Sequence, residues 1–160
     1  MANNITMHPR NAPSSKLAEC YVTIDGVRYN FMSAINVEVN FEKTTVEVPI
    51  LGRTNKGVKA TGSKITGSGE FHMNTSIWRD LAHRFQETGE DVYFDMMIVN
   101  DDKTATDIGR QTIILYDCTF TSITLAKFDA DSEDTLTESM DFTADSFEIQ
   151  EGFKQMPGMI

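Results

Sequence analysis

The residues best suited to phosphate chemistry lie in a basic, glycine-rich stretch, residues 49–69. Within it, residues 57–64 have the sequence G-V-K-A-T-G-S-K, which approaches the phosphate-binding motif G-x-x-x-x-G-K-[ST]. In that motif the lysine reaches the phosphates from the start of a helix, and the hydroxyl after it binds Mg²⁺. Here Ser63 precedes Lys64 and a β-like segment follows, so both the order and the context argue against nucleotide binding.

A second candidate, for calcium, lies in an acidic run near the C-terminal end. Residues 129–134 have the sequence D-A-D-S-E-D, which resembles the opening of a calcium-binding loop. Such a loop needs glycine at its sixth position and glutamate at its twelfth, whereas this chain has Asp134 and Met140 there. A solvated acidic turn is therefore favoured, with a weak Ca²⁺ site as the alternative. The acids of the polar stretch 100–109 are interpreted in the same way.

The sequence offers no constellation of residues for catalysis. The three histidines, His8, His72 and His83, are dispersed, and neither an H-x-x-x-H pair nor a G-x-S-x-G turn is present. Cys20 and Cys118 lie far apart without metal-ligand spacing, and we expect them to be small, buried, hydrophobic residues. We therefore expect no enzymatic activity, no cofactor and no metal.

Charge is distributed unevenly along the chain, whose formal net charge is −10. Residues 49–69 have no acidic side chain and four basic ones: Arg53, Lys56, Lys59 and Lys64. Residues 128–151 have nine acidic side chains and no lysine or arginine. This asymmetry favours a contact between copies, in which the basic stretch of one lies on an acidic surface of another. The acidic candidates for such a contact are Asp129, Asp131, Glu133, Asp134 and Glu138.

A small β-barrel module that binds nucleic acid through residues 53–64 is the alternative interpretation. Basic side chains in this stretch could contact phosphates. However, the stretch has no aromatic residue on which a base could stack. The sequence pI is about 4.6, whereas nucleic-acid-binding domains are usually basic. We therefore expect no stable nucleic-acid binding.

Alternation of apolar and polar residues predicts a mainly β fold. Asp25-Gly26, between two β-type runs, is a strong hairpin signal because both turn residues must reach positive φ. From Ile35 to Phe41, apolar residues alternate with Asn and Glu, so one face of this strand is buried and the other is hydrated. We expect about seven or eight strands in two antiparallel sheets that form a sandwich or barrel.

One α-helix is expected, packed on the side of this sheet structure. Its apolar residues form a single stripe at helical spacing: Ile77, Trp78, Leu81, Ala82 and Phe85. Gly89 follows as a C-terminal cap. The stripe predicts that the helix lies against the sheet with Trp78 in the core.

Composition divides the chain into a domain with two short ends. Residues 1–16 have two prolines and few apolar side chains, which predicts a flexible N-terminal arm. Residues 17–153 are expected to form the β domain, with residues 49–69 as an assembly loop, and residues 154–160 a mobile tail. No apolar run approaches the roughly 20 residues of a membrane-spanning helix.

Short stretches of this sequence, in the same order and at compatible spacing, resemble the tail tube proteins of contractile phage tails. The likeness is to the PBSX-like prophage type and the tubes of R-type bacteriocins, and it covers roughly residues 17–153. The stretches that carry it are V-P-I-L-G-R at 48–53, T-G at 61–62, G-S-G-E-F at 67–71, L-Y-D-C-T-F at 115–120, F-D-A-D-S-E at 128–133 and F-T-A-D-S-F at 142–147.

The resemblance implies a structural subunit. Six copies would form a ring, and rings would stack into a hollow tube inside a contractile sheath, with residues 49–69 reaching a neighbouring ring. Such a tube would pass DNA in a phage or puncture a membrane in a phage-tail-like particle. An acidic lumen would repel DNA phosphates and let DNA slide, and the acidic candidates named above could line it.

The resemblance also implies partners and a location. The partners are other copies of the chain, the sheath protein, and the baseplate, tape-measure and tube-terminator proteins. The location is the cytoplasm of the bacterial host during assembly, and afterwards the tail or particle. A sheet-based adaptor or chaperone of tail assembly is the alternative within this setting.

Overall fold

The computed structural model describes residues 6–159, and within this range it contains eight β-strands, one α-helix and one 3-10 helix. The strands are β1 (Ala18–Ile24), β2 (Val27–Asn30), β3 (Ala34–Val48), β4 (Gly57–His72), β5 (Phe94–Asp101), β6 (Arg110–Ile123), β7 (Thr137–Ala144) and β8 (Ser146–Glu151). Helix α1 spans Ile77–Thr88, and the 3-10 helix spans Pro9–Asn11. The predicted mainly β class with one α-helix is confirmed. No helix among residues 6–159 is long and apolar enough to cross a membrane.

The chain divides into two compact units. The first comprises residues up to 32, residues 94–116 and residues from 147 onwards, and the second comprises residues 33–93 and 117–146. In the first unit the strand order is β2-β1-β5-β6, and β8 also pairs with β6. In the second unit the order is β6-β7-β4-β3. Strand β6 therefore runs through both.

The first unit is built on the hairpin that the sequence predicted. Asp25 and Gly26 have φ values of 52° and 80°, so both residues of the turn between β1 and β2 adopt the left-handed conformation. Val22 of β1 pairs with Met96 of β5, and both side chains are buried. Cys20 is also buried, and burial raises the pKa of its thiol to about 12.

The second unit has a sheet with helix α1 on one face. The rings of Phe71 on β4 and Trp78 on α1 lie 5.7 Å apart, and both side chains are buried. Helix α1 ends as predicted at Gly89, which has φ 73° and donates its N–H to the carbonyl of Phe85. Phe85, expected in the apolar stripe, remains exposed along one side although its ring meets that of Phe120 at 6.1 Å.

The expectation of one long loop over residues 49–69 is wrong for most of its length. Residues 57–69 belong to β4, and the turn between β3 and β4 comprises residues 49–56. The glycines at 67 and 69 do not break the strand, because aromatic rings fill the space that side chains would occupy. A Cβ on Gly67 would lie 2.7 Å from Phe142 Cε2, and one on Gly69 would lie 2.9 Å from Phe71 Cε2.

The predicted arm, domain and tail boundaries stay predictions, and residues 1–5 of the arm and residue 160 of the tail lie outside the described residues. Within the arm, Asn11 Nδ2 donates to Asp107 Oδ2 at 3.0 Å, and the Ser14 N–H donates to Asp102 Oδ2 at 2.9 Å. In the tail, the Lys154 N–H donates to the carbonyl of Ile108, in the loop between β5 and β6, at 2.8 Å.

Asp102 differs from the solvated acid that the sequence suggested. Its side chain is buried and accepts hydrogen bonds from the side chain and N–H of Thr104 and from Ser14. The Thr104 hydroxyl, followed by these backbone donors, lowers the pKa of the Asp102 carboxyl because each bond favours the charged form.

Candidate assembly surfaces

Where β3, β4 and β7 pair in the second unit, one face of the sheet carries acidic and neutral polar side chains, and the next row towards the hairpin turn is Glu42–Lys64. Cross-strand register places the acidic and neutral polar side chains in three rows that run from β3 across β4 to β7. The rows are Asn36–Glu70–Ser139, Glu38–Ser68–Asp141 and Asn40–Thr66–Thr143. We call these nine residues the polar face. All are exposed or half-buried, and Asn36 Nδ2 donates to Glu70 Oε2 at 3.1 Å.

The opposite face of the same sheet is apolar and is partly covered by α1. Ile65, Phe71, Met140 and Phe142 point to this side and are buried. The contact between the Phe71 and Trp78 rings places α1 on it. The sheet therefore has an open polar side and an apolar side on which α1 packs at β4 and β7, whereas Phe41 of β3 on the same apolar side is 56% exposed.

Glu138, one of the predicted acidic assembly residues, lies on the side of the sheet where α1 packs. It is 2% exposed, and its Oε2 accepts a hydrogen bond and ion pair from Nη1 of Arg79 on α1. Nη2 of Arg79 also donates to the carbonyl of Thr75 at the start of the helix. The expectation that Glu138 serves assembly or a lumen is therefore wrong, because its own chain buries it and uses it to hold α1 on β7.

The other predicted acids lie together in the irregular segment between β6 and β7 and are not among the nine residues of the polar face. They are exposed: Asp129, Asp131, Glu133 and Asp134. Asp129 Oδ1 accepts the N–H of Asp131 at 3.1 Å, which shapes a local turn. Among residues 6–159, no group of three or more His, Cys, Asp or Glu side chains is arranged to hold a metal ion.

The basic residues lie on the protruding part of the hairpin formed by β3 and β4. Strand β4 pairs with β7 only from Ile65 to His72, whereas β3 and β4 pair with each other as far as Val48 and Gly57. Residues 42–64, which we call the hairpin end, thus extend past β7. Apart from the half-buried Gly57, every residue of the hairpin end is exposed.

The four predicted basic residues fall into two pairs with different surroundings. Lys56 Nζ lies 3.7 Å from Glu47 Oε2, and Lys64 Nζ lies 3.6 Å from Glu42 Oε2, so these two lysines are neutralised across the hairpin. Arg53 and Lys59 form no salt bridge within residues 6–159. The structure therefore leaves only half of the predicted set free for a partner.

Sequence reasoning missed the acids of the polar face, Glu38, Glu70 and Asp141. The alternation in β3 already indicated that Glu38 is on a hydrated face. No local signal placed Glu70 and Asp141 beside it, because their position depends on the register of three strands.

Two tyrosine–carboxylate contacts lie in the first unit. Tyr21 donates its hydroxyl to Glu19 at 2.6 Å, and Tyr116 donates its hydroxyl to Glu148 at 2.5 Å. The hydrogen bond to the carboxylate raises the pKa of each tyrosine, because it stabilises the protonated phenol. These contacts are hydrogen bonds at the surface of the first unit.

A family comparison decides what these surfaces belong to. Residues 5–151 match the family described as phage tail tube protein. The chain belongs to the phage tail tube protein family. The resemblance found in the sequence is therefore confirmed. The chain is 38% identical over 114 residues to the phage-like element PBSX protein XkdM of Bacillus subtilis strain 168, covering 71% of this chain and 76% of that protein.

Chains in two solved structures share the fold of this chain. A chain in the cryo-EM structure of the anti-feeding prophage baseplate has a TM-score of 0.63 and 11% identity, covering 93% of this chain and 97% of that one. A chain in the extended sheath–tube complex of the extracellular contractile injection system PVC has a TM-score of 0.62 and 18% identity, covering 82% and 87%. At these identities the likeness shows a shared fold.

Proposed function

We propose that this chain is a structural subunit of the inner tail tube of a contractile phage tail or phage-tail-like particle. Copies form rings, and the rings stack into a hollow tube surrounded by a sheath. The family resemblance implies six copies in each ring. The tube passes DNA or punctures a membrane. The observation that carries the proposal is the two-sided sheet, with α1 on one side and the polar face open on the other.

The polar face is the surface that lines the lumen in this proposal. Glu38, Glu70 and Asp141 repel DNA phosphates, and none of the nine residues of the polar face is basic. None of the nine residues has an aromatic or aliphatic side chain on which a base could stack. The hydroxyl and amide groups of the polar face bind water, so DNA or another cargo slides past the face without adhering.

The sheet edges supply the reason for ring formation. Strand β3 stands at the end of the strand order, and within the described residues no further strand pairs with its outer side. A strand of 15 residues with one unpaired edge is a template for pairing with another chain. Closure of copies into a ring satisfies such edges, as it does in a barrel.

The proposed partners are the other components of such a tail. The PVC structure named above is a sheath–tube complex, and the anti-feeding prophage structure is a baseplate. We assign to this chain, as partners, its own copies, a sheath protein, and baseplate, tape-measure and tube-terminator proteins. It acts as a structural protein without enzymatic activity, first in the cytoplasm of the bacterial host and then in the particle.

The deciding experiment is assembly of the purified full-length chain. Negative-stain electron microscopy across a range of protein and salt concentrations is expected to show rings or tubes with a central channel. A species that remains monomeric under all conditions would contradict the proposal. Tight, salt-sensitive DNA binding without self-assembly would instead favour the nucleic-acid-binding module.

A further inference from the structure

We propose that a pocket between the two ends of the chain binds an extended segment of another protein, through one apolar side chain and the peptide groups on either side of it. The pocket lies entirely in the first unit. None of its residues belongs to the polar face or to the hairpin end, so the proposal goes beyond the tube function and does not depend on it.

Three segments of the first unit enclose the pocket, whose volume is about 290 Å³. They are the stretch 6–11, Asp107 in the loop between β5 and β6, and residues 156–159. Asn11 Nδ2 donates to Asp107 Oδ2 at 3.0 Å, and the Met159 N–H donates to the Met156 carbonyl at 3.1 Å, so hydrogen bonds shape both ends of the chain here. Ligand pockets begin at about 300 Å³, and this volume therefore suits one or two residues of a partner.

Asn11 supplies a buried hydrogen-bond acceptor to the lining of the pocket. The residue is 6% exposed, and its Oδ1 has no hydrogen-bond partner within residues 6–159. The orientation of the amide follows from Asp107, because a carboxylate accepts only and must face Nδ2. A buried acceptor without a donor is costly, so a ligand N–H that reaches Asn11 Oδ1 is favoured.

His8 and Arg10 supply donors to the same lining. His8 Nδ1 accepts the N–H of Arg10 at 3.2 Å, so the proton of the neutral ring is on Nε2, which can donate to a ligand. The side chain of Arg10 is 54% exposed, and its one contact with Asp107 joins Nη2 to Oδ2 at 3.4 Å. A guanidinium has five N–H groups, so others remain for a ligand carbonyl.

Charge balance favours a peptide over an ion as the ligand. Apart from His8, the titratable side chains of the lining are Arg10 and Asp107, and these two pair with each other. A ligand carboxylate or ammonium would meet a repelling charge beside each attracting one. A neutral peptide group instead brings one donor and one acceptor, which match Asn11 Oδ1 and the donors of His8 and Arg10.

Methionine side chains form most of the apolar part of the pocket. Met7, Met156 and Met159 line it together with Pro157, and Met7 and Met159 are 55% and 62% exposed. Methionine is flexible and polarisable, and it is common at surfaces that bind apolar side chains of different shapes. These side chains can move to admit an apolar residue and to open the path to Asn11 Oδ1.

Photoaffinity labelling of the full-length chain tests the pocket. The probe is N-acetyl-photoleucine N-methylamide, which has a diazirine in its side chain and a peptide group on each side. After irradiation, mass spectrometry is expected to find the label concentrated on residues 6–11 and 156–159, and an excess of N-acetyl-leucine N-methylamide should prevent it. N-acetyl-N-methyl-leucine N-methylamide lacks the N–H for Asn11 Oδ1 and should compete about tenfold less well, as expected when a buried acceptor is left unpaired.

Protein variants provide the matched controls. Met159→Gln replaces an apolar wall by a hydrated amide and should reduce labelling of residues 6–11 about fivefold, whereas Met32→Gln, at an 85% exposed methionine outside the pocket, should leave it unchanged. Label spread evenly over the exposed surface, or equal competition by the N-methylated compound, would overturn the pocket. Removal of residues 1–5 should not alter the labelling. A strong increase would show that these residues occupy the pocket themselves and would overturn the assignment to a partner protein.

Discussion

The ring of Phe142 on β7 lies over the backbone of Gly67 on β4, directly across the strand pair. A Cβ on Gly67 would meet ring atom Cε2 at 2.7 Å, which is closer than real carbon atoms approach. The absence of a side chain at Gly67 therefore leaves the space in which the Phe142 ring is buried. Packing, rather than turn formation, explains this glycine in a strand.

Gly67→Ala is expected to destabilise the folded monomer by about 1–3 kcal/mol, the usual cost of overpacking a buried site. Gly62→Ala is the matched control, because Gly62 is also in β4 and a Cβ there meets nothing within 4 Å. Urea unfolding of both variants and the wild type measures the difference. Equal midpoints for the two variants would show that Phe142 moves aside without cost.

The Arg79–Glu138 pair is expected to be needed for the helix to dock. Glu138→Gln leaves the Arg79 guanidinium half-buried without its counter-charge, and loss of one partner of a buried pair costs about 3 kcal/mol. The double variant Arg79→Leu/Glu138→Leu removes both charges and is expected to regain most of that loss. Urea unfolding checks both, and a double variant no more stable than Glu138→Gln would contradict this account.

Asp102 is expected to make stability depend on pH on the acidic side. Because the Thr104 hydroxyl lowers the pKa of Asp102 in the folded state, its contribution is fully present above the unfolded-state value of about 3.9 and is lost as pH falls through the folded-state value. The stability difference between wild type and Asp102→Asn should therefore shrink below about pH 4. Urea unfolding from neutral pH to about pH 2 measures it, with Asp145→Asn as the control for loss of one surface charge.

The polar face is expected to keep DNA from adhering inside assembled tubes. Glu38→Lys/Asp141→Lys places two positive charges on one row of this face, either side of Ser68. Tubes of this variant should retain labelled DNA at low salt and release it as salt rises. Co-sedimentation checks the prediction, and Glu90→Lys/Asp91→Lys gives the same change in net charge at two exposed residues after α1. Equal DNA retention by the two variants would argue against a lumen location.

The two pairs of basic residues on the hairpin end are expected to behave differently. Arg53→Glu/Lys59→Glu should leave the monomer folded and weaken assembly by about 1 kcal/mol or less per exposed pair, with the effect fading as salt rises. Lys56→Glu/Lys64→Glu changes the net charge equally but mainly breaks pairs within the hairpin. Sedimentation at low and moderate salt compares them. Assembly of Arg53→Glu/Lys59→Glu that matches the wild type at both salts would contradict an electrostatic contribution.

The parts of the fold that follow from neighbouring residues could be predicted from the sequence. The Asp25-Gly26 turn depends only on the φ values its own residues can reach, and both adopt them. Helical spacing predicted that Trp78 and Leu81 lie in the core, and both are buried, although Phe85 of the same stripe is exposed. The predicted cap at Gly89 is confirmed, because its φ is 73°. Alternation from Ile35 to Phe41 likewise indicated a hydrated face that includes Glu38, because side-chain direction in a strand has a period of two. The buried face predicted from the same alternation is wrong for the single chain, because Ile35 and Phe41 are exposed and Val37 and Val39 are only half-buried.

Tertiary structure alone decided which residues meet across strands. Glu70 and Asp141 join Glu38 on one face only because β4 pairs with β3 and β7 in one register. The same register places Phe142 over Gly67. The glycine-rich run that was predicted to be a loop is therefore part of a strand in which glycine makes room for an aromatic ring. Glu138 shares the acidic composition of its segment, yet Arg79 from a distant helix buries it. Composition and spacing describe a residue's neighbours along the chain, whereas burial and pairing depend on residues far away in sequence, which is the physical reason for this division.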